Sequence, residues 1–192
     1  MNQKLHNLAN IYSGYSFRGA VKNEKDGSHK VVQVRDIESD TSIINTQNLV
    51  QLNFDEKTHS PLLQNNDILL SSRGTDNAGL KVGIFYGEEK NIVATSSLFI
   101  IRITNKKILP EYLLYYLNSF YGQKDLKSIM MGATIKTISK KELAEMKIPI
   151  IETERQKILI DIMKNLIKQK QLHRQKINLL NILTDNIFST QL

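Results

Sequence analysis

An α+β fold is predicted, with a compact mixed domain over residues 1–152 followed by one long C-terminal coiled-coil helix over residues 153–192. Three observations predict it. Short β-rich runs, punctuated by Gly, Asn and Asp clusters, recur through the first 152 residues. Helix signals interrupt them only late in that stretch. From Thr153 onward Gly and Pro disappear, and apolar residues take up heptad spacing.

The β-rich runs lie at residues 30–34 (KVVQV), 67–71 (DILLS), 82–86 (VGIFY) and 98–103 (LFIIRI). Branched and aromatic side chains suit a pleated surface, and the intervening Gly, Asn and Asp supply turn chemistry. Gly87 and residues 88–91 separate VGIFY from IVATSSLFII and read as a hairpin turn. Pro110 opens a helix, because the first-turn N–H has no intrahelical partner to lose. The segment EYLLYYLNSFYG carries one apolar face, and Gly122 reads as its stop. A shorter helix is expected over residues 139–146, where Ser139 and Glu142 have capping-box spacing. Residues 148–151 read as a closing strand.

Thr153 and Gln156 again have capping-box spacing. A helix of about 36 residues extends about 54 Å at 1.5 Å per residue, too long to bury against so small a domain. Leu159, Leu166, His173, Leu180 and Ile187 lie seven apart, with Met163, Lys170, Ile177 and Thr184 at the alternate seam positions. Both ends of the seam are apolar and its middle, residues 169–176, is mostly polar. A polar layer costs stability and fixes register or strand number. A stripe on so long a helix calls for a partner surface.

Composition narrows the chemistry. The chain of 192 residues has no Cys, which excludes a disulfide framework, a thiol nucleophile and a Cys-based zinc site. The opening MNQKLHNLANIYSG has no apolar signal-peptide core, and no run reaches membrane-spanning length, so a soluble, cytoplasmic protein is expected. The net charge is +7, of which residues 153–192 carry +4, with 7 basic and 3 acidic groups. A basic balance favours a polyanionic partner, nucleic acid before membrane. There is no phosphate loop and no G-x-S-x-G elbow. Nor is there an Asn-Pro-Pro-aromatic segment of the kind amino-methyltransferases carry. His6, His29, His59 and His173 are scattered without zinc-ligand spacing, so no metal is expected. Asp67 with Glu88, Glu89 and Lys90 loosely imitates the carboxylates of a Mg²⁺-dependent nuclease, but the second part reads as a solvated turn.

Three loops have chemistry suited to DNA. Residues 13–19 offer Tyr15, Ser16 and Arg18 between two glycines. Residues 71–81 hold Arg73, Thr75, Asn77 and Lys81, and residues 132–136 hold Thr134 and Lys136. Arg and Asn can contact base edges in two-pronged fashion, so Arg18, Arg73 and Asn77 are the expected base readers. Lys81, Lys136 and Thr134 are the expected phosphate contacts.

Several short pieces occur in a recognisable order. They are the G-x-S-F-R-G-like entry at residues 14–19, Gln33-Val34-Arg35-Asp36-Ile37, Asn66-Asp67-Ile68-Leu69-Leu70 with Arg73-Gly74, and the Y-L…Y-L…S helix at residues 112–119. Gly132-Ala133-Thr134, Ile138-Ser139 and Leu143 through Ile148-Pro149 then hand over to a basic helix. In this order they resemble the specificity (S) subunit of type I restriction–modification systems, in a half-length form with one target-recognition domain and one conserved helix. Two local details differ: Ile151 or Glu152 stands where the family writes a second Pro, and Arg155 separates Glu154 from Gln156.

The resemblance implies a sequence-specific, non-catalytic DNA-recognition subunit of a DNA adenine methyltransferase complex. Its partners would be double-stranded DNA, a modification subunit that binds S-adenosylmethionine and flips the adenine, and in some systems a restriction subunit. The chain itself would hold no cofactor. Arg35, in the early turn, joins the DNA-facing set. Full-length subunits carry two recognition domains related by an approximate two-fold, with antiparallel helices. One domain and one helix therefore imply a homodimer through Leu159, Met163, Leu166, Lys170, His173, Ile177, Leu180 and Ile187, reading a palindromic bipartite target. Two other readings stay open: a small Mg²⁺-dependent nuclease using Asp67 and Glu88, and a coiled-coil antirestriction or decoy protein without catalysis.

Overall fold

The computed structural model describes residues 1–17, 19, 21–53, 61–74, 79–132 and 136–189. In chain order the strands of the first part are β1 (Asn2–Lys4), β2 (Ala9–Ser13), β3 (His29–Val32), β4 (Val50–Leu52), β5 (Ile68–Ser71), β6 (Arg73–Gly74), β7 (Val82–Ile84), β8 (Ile92–Ala94) and β9 (Leu98–Ile103). There follow α1 (Pro110–Asn118), α2 (Phe120–Ser128), β10 (Lys136–Thr137), α3 (Lys140–Glu145), β11 (Lys147–Pro149) and α4 (Thr153–Ser189).

The centre is an antiparallel sheet of order β2-β9-β5-β7. Alternation along its strands sends successive side chains to opposite faces. Ile68 and Leu70 of β5, with Phe99 and Ile101 of β9, pack under Leu113, Leu114, Leu117, Leu126 and Leu143 of the three short helices. Leu69, Leu98 and Ile100 face the other way, onto Val32, Ile92 and Ala94 of a second sheet of order β4-β3-β8. Phe17 and Val21 cover the far side of that second sheet. The layers are therefore helices, central sheet, small sheet and a covering segment, each apolar face closed by its neighbour.

Several local expectations are met. Ser139 caps α3 through the Glu142 N–H, and the Glu142 carboxylate accepts from the Ser139 N–H. Pro110 occupies the first turn of α1. Helix α4 begins at Thr153 and runs for 37 residues.

Other expectations need correction. The segment 87–91 is not a hairpin turn: β7 pairs with β5 in the central sheet, whereas β8 pairs in parallel with β3 in the small one. IVATSSLFII is not one run, because Thr95, Ser96 and Ser97 form the turn between β8 and β9. Gly122 does not stop the first helix. The chain breaks at Ser119, which caps α2 by accepting from the Gly122 N–H. Gly122 lies inside α2, where an added Cβ would sit 1.9 Å from the Tyr116 carbonyl oxygen.

Nor does Gln156 close a capping box on Thr153. Its fully buried amide accepts from the Leu109 N–H and donates to the Lys107 and Ile151 carbonyls. The closing strand ends at Pro149 and pairs with β1, and the N-terminal amine donates to the Ile150 carbonyl. The first residues thus brace the root of α4. Ile160 is the last buried residue of α4.

Candidate nucleic-acid interface

The candidate surface is built at the end of β8 and β9 where the Thr95–Ser97 turn emerges. The 13–19 segment arrives first: the Tyr15 N–H donates to the Ala94 carbonyl at 2.7 Å, and the Ser96 N–H donates back to the Tyr15 carbonyl at 2.8 Å. Gly14 is required there, since a Cβ would lie 2.1 Å from the Thr95 carbonyl oxygen. The Ser72 N–H donates to the Ser97 carbonyl at 2.8 Å, bringing in the segment after β5. The Ile138 N–H donates to the Ser72 carbonyl at 3.0 Å, and β10 pairs antiparallel with β6, setting Arg73 opposite Thr137 and Gly74 opposite Lys136. Backbone hydrogen bonds therefore gather residues 13–17, 72–74 and 136–138, the described parts of these segments, at one edge.

Side chains follow from this scaffold. Tyr15 is half-buried, its ring edge-on to Phe17 at 4.6 Å, while Ser16 is exposed. Arg35 stands on the 3₁₀ turn Val34–Asp36, 66 % exposed and 3.9 Å from the Asp36 carboxylate. Tyr15, Phe17, Gln33, Arg35, Ser96 and Ser97 line one open cavity of about 350 Å³. Gln33 accepts from the Asp36 N–H, and its buried amide nitrogen has no hydrogen-bond partner among the described residues. Arg73 is exposed and Lys136 is half-buried. The edge therefore presents guanidinium groups, an ammonium and hydroxyls, a donor set that suits phosphates and base edges.

Lys81 is set apart from that cavity. Its main-chain N–H donates to the Ser71 hydroxyl, but its amine reaches the Ile37 carbonyl at 3.4 Å, in the recess beside Glu38, Asn118 and Gln123. Arg18, Thr75, Asn77 and Thr134 lie outside the described residues. Ser96 and Ser97 were not singled out from sequence, and Gln33 only as part of the Gln33–Ile37 piece, not as a site residue. The hydroxyl-rich TSS triplet was the available signal, hidden because it sits between two apolar runs.

The nuclease reading does not survive the geometry. The carboxylate of Asp67, 1 % exposed, takes two hydrogen bonds from Arg102, at 2.8 and 2.7 Å, and a third from the Gln64 N–H. Hydrogen bonding to Asp67 raises the pKa of the Arg102 guanidinium, which also lies over the Tyr12 ring at 5.6 Å. This carboxylate is spent on structure, and Glu88 stands exposed in the 87–91 loop. Among the described residues no group of three His, Asp or Glu could hold a metal ion.

The family model for the type I restriction modification DNA specificity domain matches residues 1–181. The chain belongs to that family. Solved structures share the fold. A chain from a study of complex assembly and conformational transition in the type I R-M system superposes with a TM-score of 0.65 at 18 % identity, covering 88 % of this chain and 38 % of that one. The HsdS subunit from Thermoanaerobacter tengcongensis gives 0.61 at 18 % identity, over 88 % of this chain and 37 % of that one. The type I restriction–modification S subunit from M. genitalium gives 0.53 at 14 % identity, over 91 % and 42 %. The specificity-domain chain thus spans about two fifths of the length of the S subunits it matches. No curated protein matches it in sequence. No helix among the described residues is long and apolar enough to cross a membrane.

Proposed function

We propose that this specificity domain is the non-catalytic DNA-reading component of a type I DNA adenine methyltransferase complex. The observation that supports it most is the gathering of residues 13–17, 72–74 and 136–138 at one edge by the Tyr15–Ser96, Ser97–Ser72 and Ser72–Ile138 hydrogen bonds. Arg73 reads a base edge, Arg35 and Lys136 hold phosphates, and the Tyr15–Ser97 cavity receives the backbone. The modification subunit supplies S-adenosylmethionine and the methyl-transfer chemistry. A restriction subunit joins where the system has one.

A second part of the proposal is a homodimer through antiparallel α4 helices. Beyond Ile160 no described side chain of the helix is buried, although Lys164 pairs with Glu111 and Arg174 with Asp40, and Leu166, Ile177, Leu180 and Ile187 are each between 44 and 58 % exposed. Such a stripe is expected to be covered in the working assembly. An isologous pair places identical readers about a two-fold, which requires a palindromic bipartite target.

Reconstitution with the cognate modification subunit tests the function. Sequence-dependent adenine methylation that requires this chain supports it. Full methylation without the chain, or assembly with no target preference, contradicts it.

A further inference from the structure

The segment between β5 and β7 carries Arg73, and its two ends are held by different elements. On the outgoing side Arg73 and Gly74 pair with Thr137 and Lys136 of β10, a ladder two residues long. Two strands of that length are marginal by themselves. On the returning side β7 is an outer strand of the central sheet, and α2 supplies what a further strand would. The Gln123 carboxamide oxygen accepts from the Leu80 N–H at 3.0 Å, and its nitrogen donates to the Leu80 carbonyl at 3.0 Å and the Leu117 carbonyl at 2.9 Å. One side chain thus pairs with both main-chain groups of Leu80, as the facing residue of an antiparallel strand does. Asn118 adds a bond to the Val82 carbonyl at 3.3 Å.

This grip is relayed towards Arg73. Gly79 has φ +66°, and an added Cβ there would lie 2.5 Å from the Gln123 amide oxygen. Gly74 lies against Gly79 in turn: a Cβ on Gly74 would meet the Gly79 carbonyl oxygen at 2.7 Å and the Leu80 side chain at 2.9 Å. Leu80 is itself buried in the core beneath the helices. Gln123, Leu80, Gly79 and Gly74 therefore form one line of contact that ends beside Arg73. Clamp and β10 ladder are the two walls of a narrow neck. The Arg73 side chain is exposed, so the backbone of that neck sets where the guanidinium starts from.

We propose that Gln123 is a positioning residue for base discrimination: by clamping Leu80 it fixes the Gly74–Gly79 neck and, through it, the backbone that presents Arg73. This rests on the reading of Arg73 as a base reader given above and deepens it. Gln123 acts without touching DNA, because its carboxamide is consumed by three main-chain groups. A two-pronged contact has to be held to within about 0.5 Å. A Lys amine meeting a phosphate acts as a point charge and is less exacting. Loosening the clamp therefore lowers discrimination more than overall affinity.

The test uses the complex reconstituted with the cognate modification subunit, carrying wild type, Gln123→Met, Gly79→Ala, Arg73→Ala or Gln123→Met with Arg73→Ala. Methionine keeps the length of glutamine and removes its hydrogen bonds. Binding is measured to the methylation target mapped for the wild type, to the same duplex with single base pairs replaced, and to unrelated duplex. Circular dichroism and urea unfolding check that each chain is folded. Gln123→Met is expected to lose about tenfold in discrimination at the position that Arg73→Ala relaxes, to keep its affinity for unrelated duplex, and to add nothing in the Arg73→Ala background. Gly79→Ala drives a methyl into the same clamp, should relax the same position, and decides the matter where Gln123→Met does not fold. A folded Gln123→Met with wild-type discrimination, beside an Arg73→Ala that loses it, overturns this inference and leaves the base reader standing. Equal loss at every position, or a full further loss on top of Arg73→Ala, marks a general structural role and also overturns it. An Arg73→Ala complex that discriminates like wild type overturns the base reader and this inference with it.

Discussion

The Ser72 N–H donates to the Ser97 carbonyl at 2.8 Å. These residues are 25 positions apart, and their hydrogen bond joins the segment that carries Arg73 to the turn that carries the Tyr15 cavity. Because the bond is between backbones, side chains along this edge can be exchanged without loosening the frame. That property suits the proposed role of this edge, reading different sequences on one scaffold.

Lys136→Ala is expected to weaken binding of the reconstituted complex to all DNA sequences alike. Backbone pairing of β10 with β6 does not depend on the Lys136 side chain. One fewer phosphate contact lowers the slope of log K against log salt by about 1. A salt titration of binding, specific against non-specific duplex, checks this.

Gly122→Ala is expected to destabilise the chain, against helix propensity, which favours Ala by about 1 kcal/mol. The added methyl would meet the Tyr116 carbonyl oxygen and displace α1 against α2. Overpacking of this kind costs about 1–3 kcal/mol. Urea unfolding monitored by circular dichroism measures it, and an unchanged or raised midpoint would refute the packing account.

Asp67→Ala leaves Arg102, four-fifths buried, without its two-pronged partner. Removing one member of a buried pair costs about 3 kcal/mol or more. The loss should appear in unfolding with or without Mg²⁺, because the carboxylate, bonded twice to Arg102, braces the start of β5 against β9. Mg²⁺-dependent DNA cleavage by the isolated chain, abolished in Asp67→Asn, would instead revive the nuclease reading.

Leu166→Lys with Leu180→Lys is expected to separate the proposed dimer while leaving residues 1–152 folded, because neither side chain touches the domain core. Light scattering should report a monomer, and methylation by the reconstituted complex should be lost. Persistence of the dimer would show that another face of α4 makes the contact.

Features set by neighbouring residues were legible in sequence. The Ser139–Glu142 cap and Pro110 at a first turn depend on contacts within a few positions, and the loss of Gly and Pro marks the start of α4 at Thr153. What escaped was long-range. Parallel pairing of β3 with β8 turned an expected hairpin into a crossing between sheets. Gln156 was read as a local cap, yet its amide is consumed by Lys107 and Leu109 from 47 to 49 positions away. The DNA-suited loops could be named from composition, but not their union, since the Thr95–Ser97 turn that unites them was hidden inside an apolar run. Asp67 carried a misleading motif, because nothing local announces Arg102 as its partner.

The most direct measurement of the central claim is the methylation target of the reconstituted complex, mapped by sequencing modified DNA with wild type and with Arg73→Ala. The wild type should yield one bipartite target with two identical halves. Arg73→Ala should relax one position, the same in each half, at a cost of about 1–3 kcal/mol in discrimination. An Arg73→Ala complex with unchanged affinity and an unchanged target would show that this edge does not read DNA.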